Sequence, residues 1–248
     1  MTASSYDPAK LAFDLIDEFD RLKSADDVLL RMSAALSVFG YTAFLIVNTP
    51  EVANGIDSKP LFLLNGWPPG WTDHYGRANY YKDDPMAWHS RRSVNPFDWD
   101  EVRFDAENWP RATEVMQVAA DFGLKKGFVI PVVRGDGSMA AVTMSGERPD
   151  FDPRAKRAIH LIGLYAHAKA TKLAQGERTQ PERKRLTEGE REVLRWTAAG
   201  KTSWEMAHIL GIAEVTVVYR LQRATAKLNA VNRTHAVVQA IRAKEISV

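Results

Sequence analysis

The chain has no cysteine, which excludes disulfide cross-links and thiolate metal sites and leaves it compatible with a reducing compartment. No apolar run approaches the ~20 residues that span a bilayer. The opening MTASSYDPAK lacks the basic and apolar regions of a signal peptide. The expectation is a cytoplasmic protein without a membrane segment. Histidine is sparse as well: His74, His89, His160, His167, His208 and His235 form neither a His-Glu-x-x-His nor a His-x-His pattern. There is no Gly-x-Ser-x-Gly elbow. Gly200-Lys201-Thr202 is no phosphate-binding loop, because Arg195 stands where the upstream glycine is required. These absences predict no catalytic group, no metal and no cofactor, and the chain does not read as an enzyme.

Net charge is low, +2 over 248 residues, but unevenly placed. From Glu182 to Val248 there are 12 Lys+Arg against 7 Asp+Glu, while the rest carries 21 against 24. A basic terminal module on a slightly acidic body suits a polyanionic partner for that module alone. At this length two modest domains fit. The polar, Pro-interrupted AQGERTQPERKR, residues 174–185, is the expected linker between a domain at 1–173 and one at 186–248.

The last stretch reads as four short helices. Thr187 with Glu190, and Thr202 with Glu205, are Thr-x-x-Glu capping boxes, and Gly200 and Gly211 follow as left-handed stops. Between them Val193, Leu194 and Ala198, then Met206, Ala207 and Leu210, supply inward faces. Only Gly211, Ile212 and Ala213 separate the second helix from a third that is apolar at Val217, Leu221, Ala224 and Leu228. Such a pair is a helix-turn-helix, whose second helix matches the major groove of double-stranded DNA. The final helix is expected over Thr234 to Lys244.

Upstream, Pro8 to Lys23 carries Leu11, Ala12, Leu15, Ile16 and Phe19 at amphipathic spacing, and a helix capped by Ser24 runs to Gly40. Strands are expected at Thr42 to Val47, Leu61 to Leu64, Gly127 to Val133 and Met139 to Ser145, with EVANGIDSKP as a turn after the first and Asp136-Gly137 turning between the last two. Further helices are expected over Asn108 to Phe122 and Asp152 to Leu173. The fold class that follows is α+β: an α/β/α sandwich around an antiparallel sheet, then an all-α four-helix helix-turn-helix domain. Between Trp67 and Phe104 aromatics concentrate, and composition leaves two readings open, a packed core or the wall of a small-molecule cavity.

Leu186-Thr187-x-x-Glu190-x-Glu192-Val193-Leu194, Ala199-Gly200-Lys201-Thr202, Glu205-x-Ala207-x-Ile209-Leu210-Gly211-Ile212, Thr216-Val217, Lys227-Leu228 and Asn232-Arg233-Thr234 resemble the LuxR-type DNA-binding domain. Trp71-x-x-x-Tyr75, Asp84-Pro85, Pro96-Phe97-x-Trp99, Gly123-Leu124-x-x-Gly127 and the Pro131 strand resemble the autoinducer-binding domain of LuxR-type quorum-sensing regulators. That resemblance implies an N-acyl-homoserine lactone as ligand. It places the Trp71 indole N–H on the lactone carbonyl, the Asp84 carboxylate on the ligand amide, and the Thr143 hydroxyl on the acyl carbonyl. Tyr75, Trp99 and Phe104 would be walls, and Trp88 either wall or core. Many relatives have Tyr where this chain has Trp67, which fills more volume and implies a compact acyl group, short, branched or aryl.

In the DNA module Val218, Tyr219 and Gln222 are expected to reach base edges, while Lys201, Thr202, Arg223 and Lys227 contact phosphate and Thr216 shares their face. Ala213 stands where relatives usually have a capping Ser, and Arg220 where many have His. One such module binds weakly, so a homodimer on an inverted repeat is expected, joined through the last helix for a smaller contact and, for the main one, either through the long helix from Asp152 or elsewhere if that helix packs on the chain's own sheet. A regulator that answers another small molecule, or none, is the alternative.

Overall fold

The computed structural model describes residues 7–48, 52–53, 56–57, 61–135, 137–150, 152–176 and 185–247, and these separate into two compact units. The first is built on one antiparallel sheet. Its strands are β1 (Ala43–Asn48), β4 (Leu61–Gly66), β5 (Phe97–Asp98), β6 (Lys126–Val133) and β7 (Met139–Gly146), in the order β4-β1-β7-β6-β5. A minor ladder of β2 (Val52–Ala53) with β3 (Ile56–Asp57) lies within the stretch expected to be a plain turn. The edge strand β5, only two residues long, had no alternating pattern to announce it.

Side chains on a strand alternate between faces, and β1 commits both. Phe44 and Ile46 join Leu64, Phe128, Ile130, Val142 and Met144 in one core, where α1 (Pro8–Arg21), α2 (Ala25–Val38) and α6 (Pro153–Gly176) cover the sheet. Asp7 caps α1 by accepting from the Ala9 N–H, and Ser24 caps α2 by accepting from that of Asp27. Along α6 the inward residues are mostly small, Ala155, Ala158, Gly163, Ala166 and Ala170. A Cβ at Gly163 would fall 2.5 Å from the Ile130 Cδ1, so the helix lies hard against the sheet. It also runs three residues beyond the expected Leu173, through Ala174 to Gly176, while residues 177–184 of the expected linker lie outside those described.

The opposite face of the sheet carries Ala43, Leu45, Val47, Val129 and Ala141. Over it lie α3 (Trp71–Arg77), α4 (Pro85–Ser90) and α5 (Pro110–Asp121), with 3-10 turns at Tyr80–Lys82 and Trp99–Glu101. Among the described residues no helix is long and apolar enough to cross a membrane.

The second unit contains α7 (Glu188–Ala198), α8 (Ser203–Leu210), α9 (Glu214–Lys227) and α10 (Arg233–Arg242). Both capping boxes form, Thr187 with Glu190 and Thr202 with Glu205. Gly200 and Gly211 take positive φ, 78° and 63°, at the two stops. Val193, Leu194, Met206, Val217, Leu221, Ala224, Ala236 and Ala240 make the core. The last helix starts one residue before and ends two before the expected bounds, its start fixed by Asn232 accepting from the His235 N–H.

Helix α9 begins at Ala213, which offers no side-chain cap. Ala213→Ser is expected to stabilise the full chain by about 1 kcal/mol in urea unfolding; an unchanged unfolding free energy would mean that the first turn already has a partner.

Candidate functional site

Between the second sheet face and its helices lies a cavity; the atom-free space there, open solvent at its mouth included, is about 750 Å³. Its floor is Leu45 and Val47 of β1, Phe62 of β4, Val129 of β6, and Ala141 and Thr143 of β7. Alternation explains the pairs: Leu45 stands opposite Thr143 and Val47 opposite Ala141 in the ladder. Trp71 and Tyr75, one helical turn apart on α3, close one side with Trp67. Their rings meet edge to face, with centroids 5.2 Å apart for Trp67 and Tyr75 and 5.6 Å for Trp71 and Tyr75. Helix α5 contributes Val115, Met116 and Ala119, and α4 contributes Met86, Ala87, Ser90 and, just past its end, Arg91.

The polar groups are few. Asp84 is the cap of α4: its Oδ1 accepts from the N–H groups of Met86 at 2.8 Å and Ala87 at 3.2 Å. Its Oδ2 accepts from the Tyr75 hydroxyl at 2.8 Å. A carboxylate has about four lone-pair sites, so one acceptor site on Oδ2 is left. Burial pushes the Asp84 carboxyl above the usual Asp range, opposed by the Tyr75 hydroxyl, the two backbone N–H groups and Arg91. Stability linked to this group is therefore present at low pH and lost as pH rises through its raised pKa. The indole N–H groups of Trp71 and Trp99, both lining the cavity, have no partner among the described residues. Buried donors without partners cost of order 1–3 kcal/mol each, so an acceptor brought by a guest would remove a real penalty.

In the second unit α9 presents Val218, Tyr219 and Gln222 to the outside, Tyr219 being 55% exposed. Arg223 lies along the same surface and donates to the Tyr219 hydroxyl at 3.2 Å. Behind them Glu190 is buried, accepting from the Thr187 N–H at 2.7 Å and the Lys227 ammonium at 2.6 Å. Burial alone would raise its carboxyl, but Lys227 and Thr187 outweigh that and hold it below the usual Glu range. Its stabilising contribution is thus present at neutral pH and disappears as acid titrates it.

Comparison with known proteins places both halves. Residues 24–170 match the model of the autoinducer binding domain, and residues 184–240 that of the bacterial regulatory proteins of the luxR family. The chain belongs to the LuxR family of quorum-sensing transcription regulators. The transcriptional activator BjaR1 of Bradyrhizobium diazoefficiens is 38% identical, over 98% of this chain and 99% of that protein. The quorum sensing-dependent regulator RpaR of Rhodopseudomonas palustris is 39% identical, over 93% and 92%. Among solved structures, Escherichia coli SdiA has the same fold, with a TM-score of 0.75 at 22% identity over 96% of this chain and 99% of that one. The family consists of transcription regulators, not enzymes.

Of the residues expected to bind the ligand of this LuxR-family chain, the structure brings Trp67, Trp71, Tyr75, Asp84, Trp99 and Thr143 to one cavity. Trp88 and Phe104 lie elsewhere, which corrects the expectation for both. On the short α4 the inward face is taken by Met86, Ala87 and Ser90, so Trp88 points outward, 39% exposed, under the Arg92 guanidinium. Phe104 packs edge to face on Trp109 instead. Tyr81, Met86, Ser90 and Arg91 were not foreseen as lining residues, nor were Leu45, Val47 and Ala141 of the sheet, which the two-residue period of a strand could have indicated once one facing residue was known.

In the DNA module Lys227 is the correction: its ammonium is held between Glu190 and the Arg185 carbonyl, away from the free surface expected of a phosphate contact. The Thr202 hydroxyl is occupied in its capping box with Glu205, and Lys201 lies 3.6 Å from the same carboxylate. Thr216 is half-buried.

Trp99 is seated by the absence of a side chain at Gly127. A Cβ there would meet Trp99 Cε2 at 2.3 Å and the Met144 carbonyl oxygen at 2.6 Å. Gly127→Ala is expected to displace the indole and destabilise the chain by roughly 1–3 kcal/mol, read in urea unfolding followed by tryptophan emission. Native midpoint and native emission in the variant would refute this packing account.

Proposed function

We propose that the chain is a ligand-dependent DNA-binding regulator that takes an N-acyl-homoserine lactone into the cavity of its first unit and, as a homodimer, an inverted-repeat site through its second. One observation carries the ligand half of this reading. Two indole N–H donors without a partner among the described residues and one buried carboxylate with a spare acceptor site line a single apolar cavity. An acyl lactone is the complement: a ring carbonyl for Trp71, an amide N–H for Asp84, an acyl carbonyl for the Thr143 hydroxyl, and an apolar remainder for the sheet floor. Trp67, wedged between Phe62, Trp71 and Tyr75 at centroid distances of 5.2 to 6.0 Å, leaves a compact acyl group, short, branched or aryl, as the better fit.

Coupling to DNA follows from linkage. A guest that satisfies the indoles and fills the cavity stabilises the folded state by RT ln(1 + [L]/Kd), and any dimer that requires that state gains with it. Two copies of a small module reading one palindrome provide the affinity and selectivity that one lacks.

Melting of the full chain with a panel of lactones tests the ligand. At a hundred times its Kd, a compact-acyl lactone should raise the midpoint by roughly 5–10 °C, and mass spectrometry should find a lactone co-purified after expression beside the mixture. No shift with any lactone would sink the reading, and tightest binding by a long-chain lactone would sink the compact-acyl part.

Acidity offers a separate check. Because the amide N–H donates to an ionised carboxylate, lactone affinity should fall as acid protonates Asp84, at a pH above the ordinary Asp value of 3.8. Asp84→Asn should bind weakly and without that dependence; an unchanged pH profile in the variant would place the amide elsewhere.

A further inference from the structure

The cavity holds more hydrogen-bond donors than a simple acyl lactone can use. Two carbonyls suffice for the indole N–H groups and the Thr143 hydroxyl that line it. Ser90 is not in the count, since its hydroxyl donates to the Ala87 carbonyl at 3.0 Å. That leaves Arg91, a lining residue whose planar guanidinium carries five N–H donors.

Arg91 is half-buried. Among the described residues its guanidinium has neither a hydrogen bond nor an ion pair, although Asp84 and Tyr75 are near enough for their charges to act on it. Burial pulls its pKa below the ordinary Arg value, the direction taken by a cation short of solvation. Its place on the chain fits a second anchor. Asp84 begins α4 and Arg91 ends it, and seven residues of α-helix make about two turns and about 10 Å. Both line the cavity, one at each end of the helix.

We propose that Arg91 is a specificity-determining contact, selecting ligands whose acyl group carries an oxygen acceptor beyond the amide: a hydroxyl, a carbonyl or a carboxylate. This deepens the lactone reading above and rests on it. A purely hydrocarbon acyl group leaves the guanidinium without a partner in an apolar wall. An oxygen there turns an unmet donor into a charge-assisted bond.

The test is calorimetric titration of the purified full chain with four matched compounds, the homoserine lactones bearing hexanoyl, 4-hydroxyhexanoyl, 6-hydroxyhexanoyl and 5-carboxypentanoyl groups. At least one oxygen-bearing member should bind about ten-fold or more tighter than hexanoyl. In Arg91→Met that advantage should vanish. Arg91→Lys should keep part of it. Equal binding of all four by the native chain, or a preference that survives in Arg91→Met, overturns the proposal and leaves the lactone reading intact. The native comparison needs no variant to fold. Failure of all four to bind overturns the proposal, and the lactone reading is then decided by the wider lactone panel above.

Discussion

The ligand-binding half depends on one carboxylate kept in an apolar place. Asp84 does three things with two oxygens: it caps α4, fixes the Tyr75 ring through its hydroxyl, and retains an acceptor site toward the cavity. Each bond it accepts from the protein offsets part of the penalty of burying a charge. Removing any of them would tip the group toward its neutral form. The helix, the aromatic wall and the carboxylate are thus a single electrostatic arrangement. The position of Pro85 at the first helical residue, where a missing N–H is harmless, lets the cap form on so short a helix.

The DNA module has its own buried acid, and the contrast is informative. Glu190 is also a helix-start residue that accepts backbone N–H bonds, but a cation is clamped on it directly. Its pKa moves down where that of Asp84 moves up. The first arrangement is closed and structural; the second keeps unused capacity. By that criterion the two carboxylates are sorted by what faces them and not by depth.

Much of this was legible in the chain. The capping boxes at Thr187 and Thr202 fixed helix starts because the signal is local, side chain to backbone within three residues. The β-branched and aromatic residues of TAFLIV marked a strand. The side chain of Trp88 was misjudged because aromatic density says nothing about which way a six-residue helix is turned, and α4 is too short for periodicity to decide. Phe104 sits in an irregular stretch, where no period exists to read. Lys227 looked like surface because its partner Glu190 is 37 residues away in sequence. Arg91 escaped notice for a related reason: a charged residue at the end of a short helix reads as solvent-facing until the sheet beneath it is drawn.

The double commitment of β1 limits how such a receptor can diverge. From Ala43 to Val47 every residue is buried, and neighbours look into opposite layers. A change there that reshapes the hollow also disturbs the packing of α1, α2 and α6 behind it. The roof is under no such double duty, being made of short helices and turns whose outer faces meet water. Drift in chemical taste among descendants of this chain should therefore be written overhead, in the segments around α3, α4 and α5, while the floor stays much as it is.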